Sequence, residues 1–335
     1  MRFVRPPQAE PAVSPARARN AWLPDLLLTL GELSGVGHLA ACYAASRWLT
    51  RRSPGRPGRT PSDHGLPWEP LACRTADGLR LAGWLVEPPQ PRGTVLLCHG
   101  VWNNREQLLS RTALLAGAGY RCVAFDHRAH GESEGRRTSF GYHEAGDVSA
   151  ALALIRQRWP GRPCAALGVS MGAAALCFAA DHTRHCDAII LESVYHDIAS
   201  AFAHRLRSSY PPWVGRLAGG IVWVTERRLG VRLAEVAPAE HVGRLAPAPV
   251  LLMTGTADAH APPAEAQRLL ARCRGPAELW LVPAAGHIDV FEQGGREYER
   301  RVLDFLDRSL QRARVARSAS GGAHPPGVRP PVSGH

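Results

Sequence analysis

The stretch PCAALGVSMGAA, residues 163–174, is the most informative part of this chain of 335 residues. A short apolar run leads into the pattern Gly168-x-Ser170-x-Gly172, and small residues that favour a helix follow it. Glycines two positions before and after the serine permit a tight strand-to-helix turn that bulkier side chains would block. The stretch therefore predicts a strand, a sharp turn and a helix, with the Ser170 hydroxyl exposed at the turn as a candidate nucleophile.

A serine hydroxyl is a weak nucleophile near neutral pH, so it needs a histidine as base and a carboxylate that orients this histidine. Residues 249–255 and 279–283 are apolar runs typical of buried strands, and Asp258 and His287 follow them in loops. Open α/β sheets build their sites in such loops. Glu192, which ends another apolar run, is the alternative acid. Asp258 is preferred because the glycine before it and the proline after it fit an acid-bearing loop.

A tetrahedral intermediate at Ser170 would also need hydrogen-bond donors for its oxyanion. The Met171 amide, directly after the candidate nucleophile, is one expected donor. The strand-like run 94–98 ends in His-Gly, and the loop after it is expected to supply the second donor. We expect this donor to be the Val101 amide, with the Trp102 amide as the less favoured choice.

The chain resembles the α/β-hydrolase superfamily over about residues 70–310. The resemblance lies in the order of the candidate serine, acid and histidine and in the loop expected to supply the second oxyanion donor. The segment FDHRAHGES, residues 125–133, resembles the D-x-R-x-H-G-x-S loop of one branch of that superfamily. This branch contains monoacylglycerol lipases, serine aminopeptidase-like enzymes and many bacterial hydrolases. The resemblance implies an α/β fold with a mainly parallel central sheet, flanking helices and a helical lid.

Two histidines and two acids in the same segment suggest a metal site, since histidine binds metals readily. In the family that the chain resembles, however, this loop is structural. The chemistry of a serine hydrolase also leaves a metal no role. We therefore expect no metal and no other cofactor.

Apolar runs and helical periodicities predict the order of elements. An opening β-meander covers 71–74 and 79–86, and strands are expected near residues 95, 123, 166, 189, 251 and 281. Strands that alternate with helices imply a mainly parallel sheet. Residues 195–242 interrupt that alternation, contain Trp213 and Trp223, and are interpreted as a helical lid over Ser170.

The predicted organisation has five parts. They are a disordered N-terminal arm (1–25), an apolar helical segment (26–50), a linker (51–69), the α/β-hydrolase domain (70–312) and a disordered tail (313–335). The arm and the tail are rich in Pro, Ala, Gly, Ser and Arg, a composition that buries little apolar surface.

The composition limits the classes of partner. The formal net charge is +11, and all basic residues except histidine are arginines, because the chain has no lysine. The arginines are scattered and do not alternate with aromatic residues, so nucleic acid is not an expected partner. The eight cysteines show no C-x-x-C spacing, and several lie in predicted core strands. A reducing cytoplasm is therefore the expected location.

The apolar segment Leu26 to Leu49 has nearly the length of about 20 residues that a bilayer requires. Glu32 and several glycines dilute its apolar character. Two interpretations follow: a membrane anchor, or an amphipathic helix packed on the domain or on a membrane surface. The second is preferred, and membrane association through this segment is a candidate interaction.

The expected function is a serine hydrolase that cleaves an ester or another activated acyl bond of a small molecule through an acyl-enzyme. A peptidase of the serine aminopeptidase type is the enzymatic alternative. It would need an acid that holds the substrate amine, and Glu226 and Glu235 are the lid carboxylates available. A catalytically silent binding module is the alternative outside enzymes. The apolar lid favours an acyl or small aromatic group over a charged substrate.

Overall fold

A central sheet of eight strands organises the molecule. The computed structural model describes residues 35–53, 55–209, 215 and 217–320. The strands are β1 (Glu69–Arg74), β2 (Arg80–Val86), β3 (Thr94–Cys98), β4 (Arg121–Phe125), β5 (Cys164–Val169), β6 (Ala188–Glu192), β7 (Val250–Gly255) and β8 (Ala277–Val282). Their order in the sheet is β1-β2-β4-β3-β5-β6-β7-β8. β1 and β2 pair antiparallel, as do β2 and β4, and every other pairing is parallel. The predicted α/β fold with a mainly parallel sheet is confirmed.

Helices cover both faces of this sheet. They are α1 (Gly35–Leu49), α2 (Leu109–Gly117), α3 (Glu144–Arg158), α4 (Met171–Phe178), α5 (Ala180–Thr183), α6 (Ile198–Ser209), α7 (Ala218–Leu229), α8 (Pro238–His241), α9 (Pro263–Arg272) and α10 (Val290–Ser320). Short 3-10 turns lie at Pro61–His64, Arg105–Leu108, Leu233–Glu235 and Val242–Leu245. Side chains of α3 and α4 belong to one apolar core, and side chains of α2 and α10 belong to a second core across the sheet. The central strands contribute side chains to both cores, because successive side chains of a strand point to opposite faces of the sheet.

The final helix is longer than the sequence predicted. The disordered tail was expected to start at residue 313, but α10 continues to Ser320 after a break at Gly295. Buried contacts of Leu306 and Leu310 hold the helix against the sheet, and Arg314 donates a hydrogen bond to the Arg92 carbonyl beyond them. The rest of the predicted tail and the predicted N-terminal arm lie outside the described residues.

The segment interpreted as a linker lies against the domain. The Ser53 amide donates to the Ala129 carbonyl at 2.8 Å, and the Gly58 amide donates to the Glu106 carboxylate at 2.7 Å. The Asn104 side chain donates to the Gly55 carbonyl at 2.9 Å. The segment interpreted as a linker therefore lies against the domain, where several of its backbone groups find hydrogen-bond partners.

Helix α1 packs against α7 rather than standing apart. Cys42 is fully buried in that contact, and Ser46 Oγ accepts hydrogen bonds from Thr225 at 3.0 Å and Arg228 at 2.8 Å. Among the described residues, no helix has the length and apolar character needed to cross a membrane. The first part of the predicted apolar segment, residues 26–34, is not among them.

Candidate active site

The turn between β5 and α4 holds Ser170 in a backbone conformation that few residues other than glycine adopt. Its φ is 51° and its ψ is −109°. A conformation of this kind costs on the order of 1–3 kcal/mol and persists only where the surroundings enforce it. The Ser170 amide donates to the Glu192 carbonyl at 2.8 Å, which fixes the turn to the end of β6.

The two glycines of the motif make this turn sterically feasible. A Cβ on Gly168 would lie 2.5 Å from the amide nitrogen of Ala173, and one on Gly172 would lie 2.3 Å from the Cys98 carbonyl oxygen. Both distances are far below van der Waals contact. The sequence interpretation of residues 163–174 as strand, tight turn and helix is thus what the structure shows.

The structure brings together the three side chains proposed from the sequence as nucleophile, base and acid. Ser170 Oγ lies 3.0 Å from His287 Nε2. The other ring nitrogen, His287 Nδ1, lies 3.1 Å and 2.9 Å from the two carboxylate oxygens of Asp258. Asp258 follows β7, His287 follows β8 and Ser170 follows β5, so all three lie beyond the carboxyl ends of parallel strands, where α/β sheets build sites.

Asp258 is held as a carboxylate. Burial by itself raises its pKa, but the hydrogen bond from His287 and those from the Ala261 and His260 amides, both at 2.8 Å, outweigh burial. The pKa of Asp258 is therefore lower than that of a free aspartate. An ionised, backbone-anchored carboxylate can fix the tautomer of His287 that leaves Nε2 free to accept a proton from Ser170.

Glu192, the alternative acid, is engaged elsewhere. Its carboxylate is buried and accepts three hydrogen bonds from Arg111, at 3.0, 3.1 and 2.6 Å. The Tyr298 hydroxyl also donates to it. Burial lowers the pKa of Arg111, but the adjacent Glu192 carboxylate more than compensates, so this pKa is raised overall. Glu192 of β6 thus forms a buried ion pair with Arg111 of α2 and accepts a hydrogen bond from Tyr298 of α10.

The expected oxyanion donors lie beside the serine. Val101 and Met171 line the same pocket as Ser170 and His287. The alternative donor is occupied, because the Trp102 amide donates to His130 Nε2 at 3.1 Å. The geometry therefore favours Val101 over Trp102, as the sequence suggested.

Histidines of the strand-end loops have backbone partners. His99 Nδ1 lies 2.7 Å from the Gly100 carbonyl and its Nε2 accepts from the His127 amide at 3.0 Å. Burial lowers the pKa of His99 and of His130, so both rings are neutral at pH 7. Within the described part of the chain, no group of three or more side chains has the arrangement to hold a metal ion.

The cavity above Ser170 is lined mainly by apolar side chains from the lid and from the loops around it. They are Val101, Trp102, Phe140, Met171, Tyr195, Ile198, Ala201 and Phe202. Two polar residues, Arg205 and His260, complete the lining, and sequence reasoning missed both. Ile198, Ala201, Phe202 and Arg205 follow the spacing of one helix face, and this spacing could have indicated that Arg205 faces the site. Trp213 lies outside the described residues, and Trp223 is half exposed on the lid.

Comparisons with known proteins agree with the fold. The family model of serine aminopeptidases, S33, matches residues 89–230. The uncharacterized protein YqkD of Bacillus subtilis is 29% identical over 238 residues, which are 70% of this chain and 77% of that protein. Human monoglyceride lipase is 30% identical over 142 residues, 41% of this chain and 46% of the lipase. The solved structure of the Pyrococcus furiosus esterase Pf2001 matches with a TM-score of 0.66 at 22% identity, covering 78% of this chain and 98% of its own.

An eight-stranded, mostly parallel sheet with a serine on the turn after its fifth strand defines the class of α/β-hydrolase folds. The chain has the α/β-hydrolase fold, as the motifs suggested, and it is similar to hydrolases of the general type that includes esterases and lipases.

The two candidate acids predict opposite behaviour on substitution. Asp258→Asn should lower turnover of a 4-nitrophenyl ester by about ten-thousandfold, because His287 loses its orienting carboxylate, while stability changes little. Glu192→Gln should lower the free energy of unfolding by about 3–5 kcal/mol, because Arg111 is left as an unpaired buried charge. Steady-state kinetics and chemical denaturation of both variants provide the test. Loss of turnover in a folded Glu192→Gln variant, with Asp258→Asn active, would assign the acid to Glu192.

Proposed function

We propose that the protein is a serine hydrolase that cleaves esters of small molecules through an acyl-enzyme intermediate. The main support for this proposal is the continuous chain of hydrogen bonds from Ser170 through His287 to Asp258. Ser170 itself lies on a strained strand-to-helix turn. Such a chain is the arrangement that activates a serine hydroxyl as a nucleophile.

In the first half of the reaction, Ser170 Oγ attacks the ester carbonyl carbon while His287 Nε2 takes the hydroxyl proton. The carbonyl oxygen becomes an oxyanion that accepts hydrogen bonds from the Val101 and Met171 amides. The C–O bond to the alcohol then breaks, and His287 returns its proton to the departing oxygen. In the second half, His287 takes a proton from water while the water oxygen attacks the acyl carbon. The bond from this carbon to Ser170 Oγ then breaks, His287 returns the proton to Ser170 Oγ, and the carboxylic acid leaves. Each step uses groups of this chain and needs no cofactor.

Residues around the pocket favour an ester over a peptide with a free amino terminus. An aminopeptidase needs a carboxylate near the nucleophile to bind the substrate amine. Among the described residues that line the pocket, none is acidic. The lid carboxylates considered from the sequence lie elsewhere: Glu226 accepts a hydrogen bond from the Leu233 amide at 2.8 Å, and Glu235 is exposed.

The alternative of a silent binding module is disfavoured by the same geometry. A module that only binds would not require a serine, a histidine and an acid in hydrogen-bond contact, nor a strained serine backbone. The similarity to an esterase and to a lipase also supports the enzymatic proposal.

Covalent labelling tests the proposed nucleophile. A fluorophosphonate probe should label the wild type, and Ser170→Ala should abolish labelling and lower ester turnover by several orders of magnitude. Ser149→Ala is the matched control, because the Ser149 hydroxyl bonds the Ala145 carbonyl within α3, away from the pocket. Labelling that persists in folded Ser170→Ala would refute the assignment.

We also propose that the outer face of α1 rests on anionic membrane surfaces. The face consists of Val36, Leu39, Ala40, Tyr43, Ala44, Arg47 and Trp48, which are all exposed although most are apolar. The adjoining helix α7 adds Trp223, which is 51% exposed. Isolated exposed apolar residues are common, but a contiguous apolar face marks an interaction surface.

Charge and aromatic content support a lipid surface as the occupant of this face. Arg51 lies over the Trp48 ring at 5.0 Å, and Arg227 lies over the Trp223 ring at 5.2 Å. Helix α1 itself contains no acidic residue. Tryptophan and tyrosine favour the headgroup region of bilayers, and arginines near the surface are attracted to anionic lipids. Trp48 also packs on Trp102 of the pocket, with ring centroids 5.6 Å apart, so the face adjoins the site.

Liposome sedimentation tests this contact. The full chain should bind vesicles that contain phosphatidylserine, bind pure phosphatidylcholine more weakly, and be released by high salt or carbonate. Val36→Gln with Leu39→Gln should weaken binding more than about tenfold, because burial of two apolar side chains is lost. Val315→Gln, at an apolar residue of α10 that is 64% exposed, should change nothing. Release by detergent alone would indicate a spanning anchor instead.

A further inference from the structure

The pocket beside Ser170 has several polar residues in an otherwise apolar lining. Its polar lining consists of Ser170, His287, Arg205 and His260, and among the described lining residues there is no carboxylate. The buried acid next to the pocket, Asp258, is engaged by His287. The apolar lid sequence suggested a pocket for an uncharged substrate. The structure instead adds a guanidinium and a second imidazole to the apolar lining.

Arg205 is oriented toward the cavity by an aromatic contact. It lies on α6 on the same helix face as Ala201 and Phe202, and its guanidinium carbon is 4.8 Å from the centre of the Trp102 ring. Stacking on an aromatic ring uses the flat face of a guanidinium, whereas its N–H donors point outward from its edge. This geometry suits a planar, bidentate anion such as a carboxylate.

His260 lies on the other side of the catalytic histidine. Its ring centroid is 5.2 Å from that of His287, and the two rings are nearly perpendicular. Its Nδ1 is buried and has no hydrogen-bond partner among the described residues. Burial, with the nearby His287 and Arg205, lowers the pKa of His260. This favours the neutral ring, and a neutral imidazole has one N–H that can donate to an anion.

We propose that the preferred substrates are esters that carry a carboxylate on their alcohol part, bound by Arg205 with a hydrogen bond from His260. This inference rests on the proposed esterase function. His287 delivers a proton to the departing alcohol, so the alcohol part lies beside His287 and therefore near His260. The aromatic and aliphatic side chains of the lid and loops surround the acyl part.

Matched ester pairs test the proposed specificity. The charged substrate is 4-acetoxybenzoate, and its neutral match is the methyl ester of 4-acetoxybenzoic acid, which has the same acyl group and a similar leaving group. The measured quantity is the ratio of kcat/KM for the charged ester to that for the neutral ester. Arg205→Gln should lower this ratio roughly tenfold to hundredfold, mainly through KM, since a hydrogen-bonded charge pair contributes on that scale.

Arg227→Gln is the control, because Arg227 also stacks on a lid tryptophan but lies outside the pocket. Its ratio should equal that of the wild type. A second pair, mono-4-nitrophenyl glutarate and 4-nitrophenyl valerate, places the charge on the acyl part. Discrimination by Arg205 in this pair alone would overturn the placement on the alcohol.

The outcomes separate this inference from the function on which it rests. If both neutral esters are hydrolysed and Arg205→Gln leaves both ratios unchanged, the carboxylate site is wrong while the esterase function stands. If no ester is hydrolysed and a fluorophosphonate does not label the wild type, the proposed function itself fails, and the inference fails with it.

Discussion

The close approach of the β5–α4 turn to the end of β3 is the constraint on which the rest of the site depends. Gly172 lies so near the Cys98 carbonyl, and Gly168 so near the start of α4, that a methyl group at either position would overlap backbone atoms. The same compression forces Ser170 into a positive φ. The buried parallel sheet on both sides of the turn enforces this strain, and the turn places the Ser170 hydroxyl within hydrogen-bond distance of His287.

The order of strands then determines which loops meet Ser170. β3 and β6 flank β5, so the Val101 loop and the end of β6 lie on either side of Ser170. Asp258 and His287 lie in the loops that follow β7 and β8, farther along the sheet. Of the two buried acids at neighbouring strand ends, Asp258 contacts the histidine and Glu192 contacts Arg111. The two carboxylates thus have different partners: Asp258 contacts the His287 imidazole, and Glu192 joins three elements through its bonds to Arg111 and Tyr298.

The sequence was sufficient to predict those structural features that short, local residue patterns encode. Glycine-bounded and periodic patterns predicted the sheet and the hydrogen-bonded side chains Ser170, His287 and Asp258. These patterns are the strand, turn and helix around Ser170, the apolar runs before Asp258 and His287, and one face of the last helix, formed by Tyr298, Val302, Leu306 and Leu310. Features that depend on tertiary contact were missed. Examples are the docking of residues 51–53 and 55–60 on the domain, and the pocket that Arg205 and His260 both line although they are far apart in sequence.

The central claim, that Ser170 forms an acyl-enzyme, is tested most directly by trapping that intermediate. The full chain is mixed with 4-nitrophenyl butyrate, quenched in acid within milliseconds to seconds, and analysed by intact mass spectrometry and peptide mapping. The account predicts a mass increase of one butyryl group on the peptide that contains Ser170, at a level that decays as the ester is consumed. Steady ester turnover with an adduct on another residue, or with attack by water and no adduct under any quench time, would contradict it.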